Sequence, residues 1–289
     1  MSERVMWGHW HFPVVVIAAA MLAAGAASPV ARGQASSTDS ADRLTVHLTD
    51  PSRPGFVTAH LVIGGITVKA YDGKDILIEA RTRDTAPVRT ENGMHRLSVG
   101  TTGLTAEEEN NDVNISTESF MRPVDLALTV PVHTSLTLHT VNGGNISVSG
   151  VDGDLDVNVV NGSVTLENVS GSAVAHTVNG RVAATFAHVN ALKPMAFSSV
   201  NGEIDVTFPA DLKASLSLHS FRGDVFSDFD VQMQGSFRQP IVEDSSSRDG
   251  KYRVLTDRAV YATINGGGAE IQFNNLNGNI YIRKAGGTH

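Results

Sequence analysis

The sequence predicts an all-β protein, and within that class a single-stranded, β-helix-like β-solenoid with coils of roughly 18–22 residues punctuated by Asn-Gly turns. Three observations support this fold. An Asn-Gly pair preceded by Val, Ile or Leu recurs through the second half of the chain, and internal repeats of this length are typical of solenoids. Segments in which apolar and polar residues alternate follow these pairs, which is typical of half-buried strands. Apolar residues also recur at fixed distances before each asparagine.

The Asn-Gly pairs set the predicted coil length. From Asn142 to Arg222, which stands in an asparagine position, the successive intervals are 19, 18, 22 and 21 residues. Asparagine and glycine suit turns because both adopt positive φ at little cost. We therefore expect the pairs to stack as a structural turn ladder. Its predicted members are Asn142, Gly143, Asn161, Gly162, Asn179, Gly180, Asn201, Gly202, Asn265, Gly266, Asn277 and Gly278.

Three apolar columns precede the asparagines, at distances of six, four and one residues. Before Asn142, for example, they contain Leu136, Leu138 and Val141. Coils that stack into a common core keep such columns in register, whereas independent hairpins have no need to do so. All three columns are therefore expected to face one core.

The predicted solenoid covers residues 44–284 and has four parts. These are irregular first coils at 44–130, regular repeats at 131–227, a loop insertion at 228–253 and closing coils at 254–284, followed by a tail at 285–289. Residues 63–79 parallel residues 142–158, which favours one continuous solenoid. A small separate β domain at 44–130 is the alternative.

The N-terminus has the features of a secretory signal peptide at residues 1–35, followed by a flexible linker at 36–43. Arg4 supplies the positive region, residues 14–24 the apolar region, and the small residues that follow provide cleavage sites. A retained membrane anchor is the alternative, but the apolar run is shorter than the roughly 20 residues that a span prefers. We expect an exported protein that is periplasmic, cell-surface or extracellular and has no membrane span after cleavage.

The composition argues against several classes of function. The absence of Cys excludes disulfides, thiolate metal sites, a Cys nucleophile and an acylated lipobox. The 22 Lys and Arg against 30 Asp and Glu, a net charge of −8, disfavour nucleic acid and anionic membranes as partners. Trp7 and Trp10 lie in the predicted signal peptide, so the mature chain is poor in the aromatic residues on which sugars stack.

Two possible metal sites are disfavoured by the pattern. His139, His176 and His219 share a column, but histidines two coils apart are separated by roughly 10 Å because strands stack about 4.8 Å apart, whereas zinc binds nitrogen at about 2 Å. The glycine run at 266–268 lacks the aspartate of calcium-binding repeats. The acidic run at 107–112 is expected to be a solvated loop. We predict no metal, no cofactor and no catalytic residue.

Carboxylates on the repeat leave one enzymatic alternative open. They are Asp154, Asp156, Glu203 and Asp205. A cleft with two carboxylates about 5–10 Å apart would favour a carbohydrate-active enzyme on a β-helix scaffold. A smooth cylinder without a pocket would favour an interaction module.

The string Leu-x-Leu-x-Thr-Val-Asn-Gly, the lead-in at 130–138 and the ending at 266–273 resemble the bacterial “putative-adhesin” family of β-strand-repeat proteins, a domain of unknown function. The resemblance covers roughly residues 44–284. It implies an exported β-solenoid of the envelope or surface and supplies no catalytic residues. The chain departs from the family pattern at Arg222 and at 228–253.

The sequence therefore favours an exported, non-enzymatic, adhesin-like interaction or structural protein. Its expected partner is an unidentified envelope or surface protein or glycan, and the loops at 101–122 and 228–253 are expected to carry specificity. A carbohydrate-active enzyme and an envelope-stress regulatory protein are the alternatives. The oligomeric state is open, since the end coils expose strand edges.

Overall fold

The computed structural model describes residues 41–83, 90–91, 94–95, 102–117, 122–234, 241–244, 252–255 and 260–286. These residues form 24 strands and no helix, so the all-β prediction is confirmed for them. Within these ranges there is accordingly no helix with the length and apolarity needed to cross a membrane. The predicted signal peptide and residues 36–40 of the predicted linker lie outside the described residues, and the first strand begins at Ala41.

The strands are numbered along the chain. Those that precede the regular repeats are β1 (Ala41–His47), β2 (Gly55–Ile63), β3 (Ile66–Tyr71), β4 (Asp75–Thr82), β5 (Thr90–Glu91), β6 (Met94–His95), β7 (Leu104–Glu109), β8 (Asp112–Thr117) and β9 (Val124–Pro131). Those of the regular repeats are β10 (Thr134–Asn142), β11 (Ile146–Ser149), β12 (Asp152–Asn161), β13 (Val164–Asn179), β14 (Val182–Val189), β15 (Met195–Asn201), β16 (Ile204–Phe208), β17 (Ala214–Arg222) and β18 (Val225–Ser227). The remaining strands are β19 (Val231–Met233), β20 (Ile241–Asp244), β21 (Tyr252–Leu255), β22 (Val260–Ile264), β23 (Ala269–Asn277) and β24 (Ile280–Lys284).

Most strands belong to one 20-stranded sheet that contains two strips of parallel strands. The first strip has the order β8, β2, β10, β12, the second half of β13, β15, β23, β17. The second strip has the order β9, β3, β11, the first half of β13, β14, β16, β24, β18. The long strand β13 runs through both strips and joins them in one sheet.

Antiparallel strands flank the parallel strips. At one end β7 pairs with β8, while β4 pairs with β9 and β1 pairs with β4. At the other end β22 pairs with β17, and β19 pairs with β22. The segment 228–253, which the sequence predicts to be a loop insertion, contains strands β19 and β20 and the start of β21.

The register follows the sequence repeat in the middle of the chain. Leu136 pairs with Leu155, which pairs with Ala173. The asparagines that end these strands are hydrogen-bonded neighbours, and their separations along the chain are 19 and then 18 residues. The next pairing joins Asn179 to Asn201, a separation of 22 residues. Successive strands thus bring equivalent residues side by side, as in a β-solenoid-like fold.

The closing coil departs from the order along the chain. Strand β23 lies between β15 and β17, so that Asn277 pairs with Asn201 on one side and with Arg222 on the other. Strand β24 lies in the same way between β16 and β18. The order of the repeats predicts Arg222 directly beside Asn201. In the structure the neighbour of Asn201 is instead Asn277 of the later coil, which continues the row of amides.

Two of the three predicted apolar columns face the core, and the third does so only at Ile264, which precedes Asn265. Leu136 and Leu138 are buried. Val141 and Phe221, in the column one residue before the asparagine, are 41% and 61% exposed, so the expectation that this column faces the core is wrong. Side chains alternate between the two faces of a strand. The residues six and four positions before the asparagine therefore share one face, and the residue one position before it lies on the opposite face.

The apolar side chains of both strips form one core. Phe197 of the first strip contacts Phe186 and Phe208 of the second strip, with ring centroids 6.1 and 6.3 Å apart. Phe273, from the inserted closing coil, stacks on Phe197 at 5.4 Å. The closing coil therefore contributes to the centre of the core and not only to its end.

Candidate interaction surface

Five of the six predicted ladder asparagines lie in one hydrogen-bonded column. They are Asn142, Asn161, Asn179, Asn201 and Asn277. In each consecutive pair the later Nδ2 donates to the earlier Oδ1 at 2.8 Å. Asn265 lies apart, in the turn between β22 and β23, where its Nδ2 donates to the carbonyl oxygen of Leu212 at 2.8 Å.

The glycines beside this column are required by close backbone approach. A Cβ on Gly162 would lie 2.1 Å from the carbonyl oxygen of Gly144, and one on Gly180 would lie 2.0 Å from that of Gly162. In the first coil Gly144, and not the predicted Gly143, is the residue that stacks. Gly266 has no atom within 4 Å of an added Cβ and lies outside the column. The stacked glycines therefore share a close backbone contact and do not share a positive φ.

Sequence reasoning missed a buried polar column two residues before the asparagines. Its members donate to glycine carbonyl oxygens of the preceding coil at 2.7–3.0 Å: Thr140 to Gly64, Thr177 to Gly162, Ser199 to Gly180 and Asn275 to Gly202. The recurrence of Thr or Ser at this position was the available signal. The hydrogen bonds satisfy carbonyl groups at the corner, where buried polar groups need partners.

The predicted histidine column begins one strand earlier than expected. His139 pairs in register with His60, and their rings stack at 4.7 Å with an interplanar angle of 12°. His176 is separated from them by Asn158, and its Nδ1 lies 2.6 Å from the hydroxyl of Ser198. Burial, and secondarily the nearby His139, lowers the pKa of His60. No group of three or more metal-ligating side chains occurs within the described ranges.

The carboxylates singled out on the repeat are engaged in hydrogen bonds and ion pairs. Asp205 lies between two arginines: Arg181 Nη2 is 2.6 Å from its Oδ2, and Arg283 Nε is 2.7 Å from its Oδ1. Arg181 also contacts Glu203, at 3.0 Å. Asp154 accepts hydrogen bonds from Lys193 and Ser172, in that order the main causes of its lowered pKa.

Asp156, the fourth of these carboxylates, accepts a hydrogen bond from the side chain of Asn158 at 2.7 Å. Asp154, Glu203 and Asp205 thus contact side chains of other parts of the chain, whereas the hydrogen bond of Asp156 stays within its own strand. They do not converge on one cleft, because Asp154 and Asp156 lie on β12 in the first strip whereas Asp205 lies on β16 in the second.

An acidic recess opens at the end of the first strip that contains β7 and β8. The run at 107–112, predicted to be a solvated loop, forms the end of this hairpin, with a two-residue turn in which Asn110 and Asn111 have φ of 56° and 70°. Such values fit a type I′ turn. The recess has a volume of about 830 Å³ and is lined by Phe56, Thr58, Glu107, Glu108, Glu109, Asn110, Asp112 and Asn114.

One carboxylate of the recess is structural. Glu108 accepts hydrogen bonds from the backbone N–H of Asn111 at 2.9 Å and from the N–H and hydroxyl of Thr49 at 3.1 and 2.9 Å. These bonds, that from Asn111 first, lower the pKa of Glu108. They tie the hairpin to the segment that follows β1.

The other carboxylates surround an exposed aromatic ring. Glu109 pairs with Asp112, and Asp112 pairs with Phe56 on the next strand. Phe56 is 52% exposed, and Glu107, Glu109 and Asp112 are all exposed or partly exposed. An apolar ring flanked by three carboxylates is suited to a ligand that presents a cationic group beside an apolar surface.

Comparison with known proteins gives one family and two similar structures. No curated protein matches the chain. A “putative cell adhesion protein” from Clostridium sporogenes and a “putative adhesin” from Bacteroides fragilis are each 10% identical, cover 84% of this chain and 99% and 96% of their own, and have TM-scores of 0.39 and 0.38. The family model of Toastrack DUF4097 matches residues 125–259. The match confirms the resemblance noted in the sequence over these residues, and the matched family is a domain of unknown function.

Proposed function

We propose that this chain is an exported, non-enzymatic β-solenoid protein that makes adhesin-like contacts at the cell surface or in the envelope. In this proposal, coils of roughly 18–22 residues turn at Asn-Gly corners and form a rigid body. Hydrogen-bonded asparagines on neighbouring strands are separated by 19, 18 and 22 residues, which supports the proposed coil length. The amide column and the close glycine contacts support corners that are fixed in place.

The acidic recess is the observation that carries the proposed binding role. Among the described residues its exposed carboxylates make no hydrogen bond that holds the hairpin, in contrast to Glu108, and they flank the half-exposed ring of Phe56. The proposed partner is an envelope or surface protein or glycan that carries basic groups. The net charge of −8 favours encounter with such a partner.

The proposal is tested by capture of partners from intact cells with the purified protein and a crosslinker. In the test variant Glu107→Gln, Glu109→Gln and Asp112→Asn are combined. A matched control removes three exposed carboxylates elsewhere: Asp211→Asn, Asp230→Asn and Glu270→Gln. We expect the test variant to lose at least about tenfold in affinity, with loss of the salt dependence, while the control binds as the wild type. Equal binding of both variants would refute the recess as the contact surface.

A carbohydrate-active enzyme is the second candidate, and the same recess favours it. Glu107 and Glu109 are two residues apart on one strand, so they point to the same side and their backbones are separated by about 6.5–7 Å. This separation falls within the range of about 5–10 Å used in glycoside hydrolysis. Release of reducing sugar from envelope glycans that is abolished by Glu107→Gln and by Glu109→Gln separately would establish the enzyme, whereas binding without turnover would support the contact surface.

Export has its own test. Cell fractionation combined with mass spectrometry of the purified chain is expected to find the protein outside the cytoplasm with an N-terminus near residue 36. A cytoplasmic protein that retains residues 1–35 would refute the proposal.

A further inference from the structure

We propose that copies of this chain associate head to tail, through parallel pairing of β18 of one copy with β1 of the next. The proposal goes beyond the surface role above, since it needs neither a ligand nor an extracellular partner. It rests on two edge strands at opposite ends of the second strip and on the match between their residues.

Among the described strands, β18 ends the second strip and has one edge unpaired. Among the described strands only β24 pairs with it, and in that pairing Asp224 O and Asp228 N are bonded to β24. Because backbone groups alternate along a parallel strand, the N–H and C=O of Val225 and Ser227 point to the other edge. Phe226 stacks on Tyr281 at 5.2 Å and is still 48% exposed. Both the backbone ladder and the aromatic stack therefore stop at this strand.

Strand β1 ends the opposite side of the sheet in the same way. Only β4 pairs with it among the described strands. Because β1 is antiparallel to β4 and β4 is antiparallel to β9, β1 runs in the same direction as the parallel strands of the second strip. A copy that continues the strip by translation would therefore present β1 to β18 in parallel orientation.

In one register of this pairing, apolar residues of the two strands meet on the side that faces the core. Val225 pairs with Ile280 and Leu44 pairs with Ile78, and both of these partners are buried core residues. Val225 and Leu44 are nonetheless 37% and 40% exposed. Pairing Val225 with Leu44 of the next copy would bury both and continue the apolar core.

The same register places opposite charges together on the outer side. Asp224 falls opposite Arg43, and Asp228 falls opposite His47, with Phe226 over Thr45 between them. The side chains of Arg43 and His47 are 70% and 78% exposed although each contacts a carboxylate of β4. A shift by one residue would set charged side chains against the apolar ones, and a shift by two residues would separate Val225 from Leu44 and Asp224 from Arg43, so the apolar and charged pairs together select this register.

A two-fold dimer through β18 alone is disfavoured by the same residues. Antiparallel pairing centred on Phe226 would place Asp224 of each copy opposite Asp228 of the other, and like charges directly opposite are destabilising. A head-to-tail contact uses two different surfaces, so it is heterologous and generates open chains of copies unless the rotation closes a ring.

The test is sedimentation velocity of the full chain over a concentration series. The wild type is expected to form species larger than dimers, with no plateau at the dimer. Val225→Pro removes an N–H from the unpaired edge only, and Leu44→Glu places a carboxylate against Val225 and Asp224. Each variant alone is expected to be monomeric, whereas their equimolar mixture retains one intact edge of each kind and is expected to form dimers only.

A charge exchange separates pairing from loss of folding. Asp224→Arg and Arg43→Asp are each expected to weaken association at least about tenfold, which corresponds to about 1.4 kcal/mol. The double variant is expected to restore it, and circular dichroism of each variant verifies the strand content. A wild type that is monomeric at all concentrations, a plateau at the dimer, or a mixture of the two edge variants that stays monomeric would each overturn the proposal.

Discussion

Replacement of Gly162 by Ala tests whether close approach of backbones holds the coils together. The added Cβ would lie 2.1 Å from the carbonyl oxygen of Gly144. A carbon and a carbonyl oxygen ordinarily stay about 3.3–3.6 Å apart, so the two coils must separate by about 1 Å at this corner. Two hydrogen bonds join these two coils at the same corner: the N–H of Ile146 donates to Ser163 O at 3.0 Å, and the N–H of Ser163 donates to Asn145 Oδ1 at 2.8 Å. Both hydrogen bonds would weaken.

The expected cost follows from these contacts. Two hydrogen bonds contribute about 1 kcal/mol each, and overpacking adds about 1–3 kcal/mol. Gly162 does not have positive φ, so alanine also reduces the entropy of the unfolded chain, which stabilises the fold by about 0.4–1 kcal/mol. We expect a net loss of about 2–4 kcal/mol in the free energy of unfolding.

The measurement is equilibrium denaturation in urea with a matched glycine control. Gly55 also lacks positive φ, but its added Cβ would meet only side chains, the nearest being Leu48 at 3.4 Å. Gly55→Ala is therefore expected to be neutral or to stabilise by up to about 1 kcal/mol. If both variants unfold at the same urea concentration with the same slope, close approach does not hold the column and the reasoning is refuted.

Three further predictions address other parts of the fold. Thr177→Val leaves the carbonyl of Gly162 without its hydroxyl donor and is expected to cost about 1–2 kcal/mol in urea denaturation, and an unchanged midpoint would contradict this. The lowered pKa of His60 means that the folded state favours the neutral ring. Its contribution to stability is therefore complete above the unfolded pKa of about 6.5 and lost as the pH falls below it. Urea titrations from about pH 7 to pH 5 should show this loss, and His139→Asn should reduce it without abolishing it, since burial is the larger cause. Deletion of residues 266–289 removes the next-to-last strand of both strips, β23 and β24, so we expect a clearly lowered urea midpoint, and an unchanged midpoint would contradict the observed strand order.

The sequence predicted the repeat well because each coil obeys the same local constraints. Leu136, Leu155 and Ala173 were aligned from their distances to the asparagines, and they are cross-strand neighbours in the structure. The third apolar column failed because Val141 lies at an outward position of the alternation along the strand. The position that continues the alternation, occupied by Thr140, carries a hydroxyl, and hydropathy alone does not identify a buried threonine that donates to a carbonyl.

The order of the coils could not be obtained from spacing. Periodicity shows which residues are equivalent, but it does not show which coil lies next to which once a long segment intervenes. Closing a longer loop costs little extra entropy, since the cost grows only with the logarithm of length. The segment between β18 and β23 can therefore return the chain to the gap between β15 and β17.

The acidic recess was missed for a related reason. Phe56 and Asp112 are far apart in sequence and meet because β8 pairs with β2. The antiparallel hairpin then adds Glu107 and Glu109 from the neighbouring strand. No repeat connects these residues, and an acidic run with two asparagines has the composition of a solvated turn. Only the pairing of strands reveals that the run borders an exposed aromatic ring.

The chemistry of the ladder accounts for where it begins and ends. In every described step the amide nitrogen donates toward the N-terminal side, so the column has a direction and each interior member must both donate and accept. Arginine has donors and no acceptor, and Arg222 would therefore interrupt the column if it lay directly after Asn201. The inserted coil puts Asn277 there and leaves Arg222 at the terminal position, on the side of the last amide oxygen. At the other end Asn142 pairs with Ile63, which has no polar side chain to extend the row. The departure at Arg222 is thus consistent with a terminal coil, and the ladder is bounded on both sides by residues that cannot continue it.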